Sequence, residues 1–333
     1  MAGRDDNRDI RGDVRGQIRE FLSTRRARIS PGQAGLPAHG GDRRRVPGLR
    51  RDEVAVLAGI SSEYYIRLER GNATGVSDSV IEGIAQALQL DEAERAHLLD
   101  LIRAAATTRP PGRRPTPPRV RPTVQRVLDS MSGTPAFVLN GRLDILTANQ
   151  LGFALFSPAC AGPARPPSIP RFIFLDPHAG GFFRDWDKVA NDTVALLRAE
   201  AGRNPYDRAL SDLIGELSTR SDQFRVRWAA HHVRIHTTGV KLLHHPVVGD
   251  LELAFESFAL AADPSQSLLT YTAEPGSPSQ AALSLLARWA ASTTTPNSHA
   301  STHRNDQHER QEDRQHDPGH DLRSRSASRP GDA

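Results

Sequence analysis

Apolar residues recur along this chain with two different periods, and the change of period divides it. From Val14 to Arg28, the residues Val14, Ile18, Phe21 and Leu22 sit at helical spacing, which predicts a helix ending before Pro31. Gly and Pro then dominate a loop from Pro31 to Gly48. Arg50 to Ala58 puts Val54 and Leu57 on one face beside small Ala55 and Ala58, and Gly59 ends the helix. Ser61 is placed to cap a third helix that runs to Arg70 before Gly71. A fourth follows Ser77, with the stripe Val80, Ile81, Ile84, Ala85 and Leu88, and Asp91 opens a fifth carrying Ala96, Leu98, Leu99, Leu101 and Ile102. Together they predict an all-α domain of five helices over residues 14–106, after a flexible arm at 1–13.

Pro, Arg and Thr crowd residues 107–122, the composition of an extended linker. Beyond it the period becomes two. Ala136 to Leu139 is a short apolar run, Asn140-Gly141 is a two-residue hairpin signal, and Leu143 to Ala148 alternates. A short helix is expected from Asn149 to Phe156, then helices over Asp187–Ala201, Arg208–Leu217 and Ser221–His231, the last two capped by Asp207 and Ser221. Strands follow at Val240–His245, Leu251–Leu260 and Leu268–Thr272, with a final helix at Pro278–Ala290. The second domain, 123–290, is therefore α+β, with five strands and helices inserted between the second and third. Residues 291–333 hold almost nothing large and apolar, so a disordered tail is expected.

Charge adds a direction to this layout. Up to Pro122 there are 22 Arg against 16 Asp plus Glu, an excess of +6, whereas the remainder carries −2. The positive end suits contact with a polyanion, although only Lys188 and Lys241 are lysines and the Arg-rich composition is general. No run approaches the roughly 18 apolar residues of a membrane span, and the first twenty residues have no apolar stretch of a secretory signal, so a cytoplasmic protein is expected. Cys160 is the single cysteine, which excludes an internal disulfide and argues against a cysteine zinc site.

The most specific stretch is Arg50 to Gly71, RRDEVAVLAGISSEYYIRLERG. A helix-turn-helix needs a bracing helix, a short turn and a second helix that enters the major groove. Ala55 permits close packing, Gly59 supplies the turn, and Ile60, Tyr65 and Leu68 fill the core. The stretch resembles the phage-repressor (lambda-repressor-like) and XRE type of helix-turn-helix, whose recognition helix ends in a sequence such as Leu68-Glu69-Arg70-Gly71. With that core turned inward, Ser61, Ser62, Glu63, Tyr64, Ile66 and Arg67 fall on or near the DNA side. Arg67 suits guanine, Glu63 cytosine, and Ile66 or Tyr64 a thymine methyl. Arg50 and Arg51 are placed for phosphates, Arg51 standing where relatives carry a backbone-contacting Gln. Arg43, Arg44 and Arg45 add sequence-independent attraction. Glu63 and Arg67 taken alone could equally be a solvated i,i+4 pair, worth about 0.3–0.5 kcal/mol. Glu69 is expected to be structural.

The second domain resembles the MmyB-like ligand-binding domain through its Phe-Val-Leu hairpin ending in Asn149, Phe174-Leu175-Asp176, Trp186-Asp187, Gly239-Val240-Lys241, His245-Pro246-Val247-Val248-Gly249 and Tyr271-Thr272-Ala273-Glu274-Pro275-Gly276-Ser277. The resemblance implies a PAS-like fold, a five-stranded antiparallel sheet around an apolar pocket for a small hydrophobic, fatty-acyl-like molecule, with no cofactor. Its expected lining is Phe137, Leu139, Leu146, Phe153, Phe156, Phe172, Phe174, Phe183, Trp186, Leu242, Phe255 and Phe258, each also an ordinary core residue. His231, His232 and His236 lack a further ligand at convincing spacing, so no metal site is expected; His299, His303, His308, His316 and His320 are scattered through the polar tail. No phosphate loop, nucleophile elbow or metal-protease motif is present, so no enzyme is expected. The expectation is a homodimeric regulator that binds double-stranded DNA and responds to a ligand; the alternative gives the second domain dimerisation or protein contact alone.

Overall fold

A computed structural model describes residues 5–36, 48–106, 119–230 and 237–293, with side chains from Val14 to Ser292. Arg43, Arg44, Arg45, the linker over 107–118, His231, His232, His236 and the tail from 294 lie outside the described residues.

Five helices form the first region: α1 (Asp5–Arg28), α2 (Arg51–Leu57), α3 (Ser62–Glu69), α4 (Asp78–Ala87) and α5 (Glu92–Ala106). The expected stripes meet in one core, where Val14, Ile18, Phe21, Leu22, Val54, Tyr65, Leu68, Ile84, Leu98 and Leu101 are all buried. One expectation is corrected. α1 begins at Asp5 rather than Val14, because extending a nucleated helix costs far less than starting one.

The helix ends follow their sequence signals. Ser61 Oγ accepts a hydrogen bond from the Tyr64 N–H at 3.1 Å, and Asp91 caps α5 by accepting from Glu94 N–H at 2.8 Å. Gly59 has φ +68°, with its N–H on Val56 and the N–H of Ile60 on Ala55, so α2 closes in a Schellman turn. Gly71 repeats this at the end of α3 with φ +86°, and a Cβ there would also lie 2.6 Å from Arg15 Cβ.

The second region opens with α6 (Pro122–Ser130), a helix that the apolar pattern did not predict, and continues through β1 (Ala136–Asn140) and β2 (Ile145–Ala148). Helices α7 (Gln150–Leu155), α8 (Ser157–Cys160), α9 (Ile169–Leu175), α10 (Ala179–Phe182), α11 (Trp186–Arg203), α12 (Arg208–Arg220) and α13 (Asp222–Ala229) follow, then β3 (Thr238–His245), β4 (Gly249–Ala259), β5 (Gln266–Thr272) and α14 (Pro278–Thr293). The strands form one antiparallel sheet in the order β2-β1-β5-β4-β3, the expected PAS-like α+β arrangement.

Alternation on the strands decides which side chains face which layer. Phe137 and Leu139 of β1, Phe255 of β4 and Leu269 and Tyr271 of β5 face the helical layer, whereas Val138 and Leu268 join Leu128 of α6 on the opposite face. Asn149 fixes the hairpin to this layer. Its Oδ1 accepts from Gly152 and Ala136 N–H groups, and its Nδ2 donates to the Met131 and Thr134 carbonyls at 2.7 Å, so a buried amide is fully satisfied.

The β1–β2 connection differs from the expected two-residue turn. Asn140 Oδ1 accepts from the N–H groups of Arg142 and Asp144, and Leu143 takes φ +60°, so the loop is longer. Gly141 lies against the Glu200 side chain, which a Cβ there would meet at 2.1 Å from Oε1 and so would displace.

Candidate DNA interface and ligand cavity

Helix α3 presents one face to solvent because its other face is anchored. Tyr65, Leu68 and Glu69 are buried, while Ser61, Glu63 and Arg67 are exposed and Ser62, Tyr64 and Ile66 half-buried. Of the six candidates on and before α3, Glu63 and Arg67 stand one turn apart on the side away from Tyr65, Leu68 and Glu69. Arg50 and Arg51, at the start of α2, are also exposed. The start of α2 is secured by the Glu53 carboxylate, which accepts from the Arg50 N–H at 2.6 Å.

Glu69 is the electrostatic anchor of the unit. Its Oε1 accepts from Arg26 of α1 at 2.9 Å and its Oε2 from Arg51 Nε at 2.8 Å, tying three helices at one buried carboxylate. Arg51 is therefore more than a phosphate candidate: it braces the motif while remaining 55 % exposed. Its pKa is raised, chiefly by that hydrogen bond to Glu69. Val56, 73 % exposed on α2, is an apolar side chain beside this surface that the sequence reading did not single out.

Across the second region, a cavity of about 280 Å³ lies between the inner sheet face and helices α9 and α11. Of the twelve expected residues, Leu139, Phe156, Phe183 and Phe255 line it. Phe137 stands behind them, edge-on to Phe156 at 5.1 Å and to Tyr271 at 6.0 Å between ring centroids.

The remaining seven do not line this cavity, for three reasons. Leu146, Leu242 and Phe258 fall on the other parity of their strands, so the pleat turns them away; Leu146 packs with the α6 side and Phe258 is 50 % exposed. Phe153, on α7, is 42 % exposed. Phe172 packs edge-on to Phe182, and Phe174 touches Trp186 and Phe224, so these rings consolidate the helical layer. An aromatic side chain in this domain can line the cavity, consolidate the helical layer or stand at the surface, and hydrophobicity alone does not choose among them.

The lining also contains groups the sequence reading missed. Lys241 Nζ of β3 lies 3.3 Å from Asp192 Oδ2 of α11, with the two side chains 13 % and 4 % exposed, and 5.3 Å from the centroid of Phe255. Burial lowers the Lys241 pKa while Asp192 opposes that shift. Glu200 and Arg203 form a second opposite-charge pair at 2.9 Å. The cavity thus has an apolar body and a polar wall whose charges balance. The available signal was a lone lysine within an alternating strand.

Elsewhere in the domain, Cys160 is half-buried and burial raises its thiol pKa, which does not suit a reactive thiolate. Among the described residues, no helix is long and apolar enough to cross a membrane.

Comparison with known families agrees with both regions. Residues 19–98 match a helix-turn-helix domain, and residues 120–286 match the MmyB-like transcription regulator ligand binding domain. No curated protein matches the chain. With a bracing helix and solvent-facing second helix in the first domain and a largely apolar cavity in the domain that follows, the chain belongs to the MmyB-like transcription regulators, as a DNA-binding helix-turn-helix domain joined to a ligand-binding domain.

Proposed function

We propose that α3 is a recognition helix that reads base edges in the major groove, and that the cavity takes a small hydrophobic, fatty-acyl-like molecule whose binding changes DNA affinity. The observation that carries the DNA reading is the division of α3: Tyr65, Leu68 and Glu69 are locked into the domain while Glu63 and Arg67 stand in solvent. Arg67 can donate two hydrogen bonds to guanine O6 and N7, and Glu63 can accept one from cytosine N4. Arg50, Arg51, Arg43, Arg44 and Arg45 supply phosphate contacts. Paired half-sites suit a homodimer acting in the cytoplasm.

The ligand reading rests on the cavity's composition. Leu139, Phe156, Ile173, Phe183, Phe255 and Tyr271 form an apolar body, and Lys241 with Asp192 forms a polar end that an amphiphile's head group can engage. The volume is near the lower end of the roughly 300–1,000 Å³ of small-molecule sites, which favours one slender molecule. Mass spectrometry of the purified chain, native against denatured, tests this directly. A co-purified hydrophobic compound supports it; persistent absence, together with no thermal shift by fatty acids, assigns the domain to dimerisation or protein contact instead.

A further inference from the structure

Helix α11 has two occupied faces. Val189, Asp192, Thr193, Leu196, Glu200 and Arg203 recur every three or four positions and line the cavity. Between them, Ala199 joins the apolar core of the helix-turn-helix domain. Gly202 meets α5 of that domain so closely that a Cβ on it would lie 2.6 Å from the His97 ring. His97 is itself buried and packs edge-on to Phe21 of α1 at 5.2 Å.

Polar contacts run in the same direction. Arg203 Nη1 donates to Glu200 at 2.9 Å, and Arg203 Nε stands 3.9 Å from Asp100 Oδ2 of α5. Glu200 abuts Gly141 in the β1–β2 connection, which also borders the cavity. On its other side α5 buries Leu98, Leu101 and Ile102 in the core that holds Tyr65 and Leu68 of α3.

We infer that α11 is a shared wall through which occupancy of the cavity is transmitted to the DNA-binding helices, with the Gly202–His97 contact as the point of transmission. The inference rests on the ligand site proposed above and names how that site regulates. A molecule that displaces the cavity face of α11 must move the face packed on α5, because a close-packed interface shifts between discrete arrangements rather than deforming freely. By linkage, DNA binding must alter the cavity's affinity by the same factor.

The test uses the full chain, dodecanoic acid as probe and a duplex selected from genomic fragments. Saturating probe, established by thermal shift, should change the DNA Kd by at least about fivefold, the lower bound of typical allosteric coupling. Gly202→Ala, outside the cavity, should still bind the probe while its Kd response falls below about twofold, the unresponsive side of the same coupling range. Asp100→Asn serves as a second interface variant should Gly202→Ala not fold. Probe binding without any change in the wild-type Kd, or an undiminished response in both interface variants, overturns the inference. A ligand-free arm separates it from the cavity reading. Filling the cavity with Leu196→Trp, or the milder Leu196→Phe, should change amide exchange in residues 92–106 of α5. A folded variant with unchanged exchange there overturns the inference, whereas altered exchange without any binding of dodecanoic acid supports the coupling and counts against the fatty-acyl reading alone.

Discussion

The guanidinium of Arg67 lies 4.8 Å from the centroid of the Tyr64 ring, and it is this ring rather than the Glu63 carboxylate that the side chain engages. An aromatic face orients a cation without consuming its N–H donors, so Arg67 stays equipped for base recognition. Replacing Arg67 by Ala should cost about 1–3 kcal/mol at the cognate duplex and relax discrimination at one base pair. Titration against every single-base variant of a selected duplex checks this. An equal loss on all sequences would make Arg67 a phosphate contact.

Glu69 and Arg51 should separate stability from binding. Removing the buried Glu69 carboxylate as Glu69→Ala leaves Arg26, 15 % exposed, without its counter-charge and should destabilise the first domain by about 3–5 kcal/mol. Arg51→Ala breaks only the more exposed half of the network, for about 0–1 kcal/mol of stability. In the same variant the slope of log K against log salt should flatten by about 0.9. Denaturant unfolding and binding at several salt concentrations measure the two effects; an unchanged slope would leave Arg51 a purely internal brace.

Two glycines of the first domain should fail for different reasons. A Cβ on Gly83 of α4 would lie 2.5 Å from the Ala58 carbonyl oxygen, so Gly83→Ala must push α4 off the turn and should cost about 1–3 kcal/mol. Gly59→Ala meets no atom within 4 Å but keeps a left-handed φ, a strain of about 1–2 kcal/mol. Because only the first substitution disturbs packing, DNA binding at protein-saturating stability should fall in Gly83→Ala more than in Gly59→Ala. Equal losses of binding would show that turn strain alone governs the surface.

His245 gives the second domain a pH dependence. It is fully buried, its Nε2–H donates to the Ala154 carbonyl at 3.0 Å, and its Nδ1 accepts from the Val247 N–H at 3.2 Å, which defines a neutral tautomer. Burial lowers its pKa below the usual 6.5. The unfolded chain therefore takes up the proton first, and stability present above about pH 6.5 is lost as pH falls toward the folded-state value. Thermal melts from pH 7.5 to 5 should show this loss, and His245→Gln, which keeps a donor and an acceptor without titrating there, should reduce it. An identical pH profile in the variant would place the acid sensitivity elsewhere.

The first domain was legible because its signals are local. The stripes from Val14 to Ile102, the cap Ser61, the helix openings at Ser77 and Asp91, and the turn glycines 59 and 71 each act within a few residues, and the structure places them accordingly. In the second domain, Asn149, Asp207 and Ser221 cap helices as their sequence positions suggest. The cavity was only partly legible because strand parity and long-range packing decide it. Phe255 faces in and Phe258 faces out three residues later, while Asp192 and Lys241 meet across 49 positions. Helices α8, α9 and α10 are short and carry Pro or paired Gly, so periodicity had too few turns to register. Gly141 reads as a turn residue but also packs against Glu200, a neighbour that only the fold reveals.

The most direct measurement is competitive binding of the full chain to a genome-selected duplex against unrelated duplexes of equal length, at an ionic strength of about 0.15 M where non-specific attraction is weak. A recognition helix at Ser62–Glu69 should give a preference of at least about a thousandfold, which Arg67→Ala erodes at one base pair. Equal affinity for all duplexes, from a chain whose melting shows both domains folded, would contradict base reading by α3.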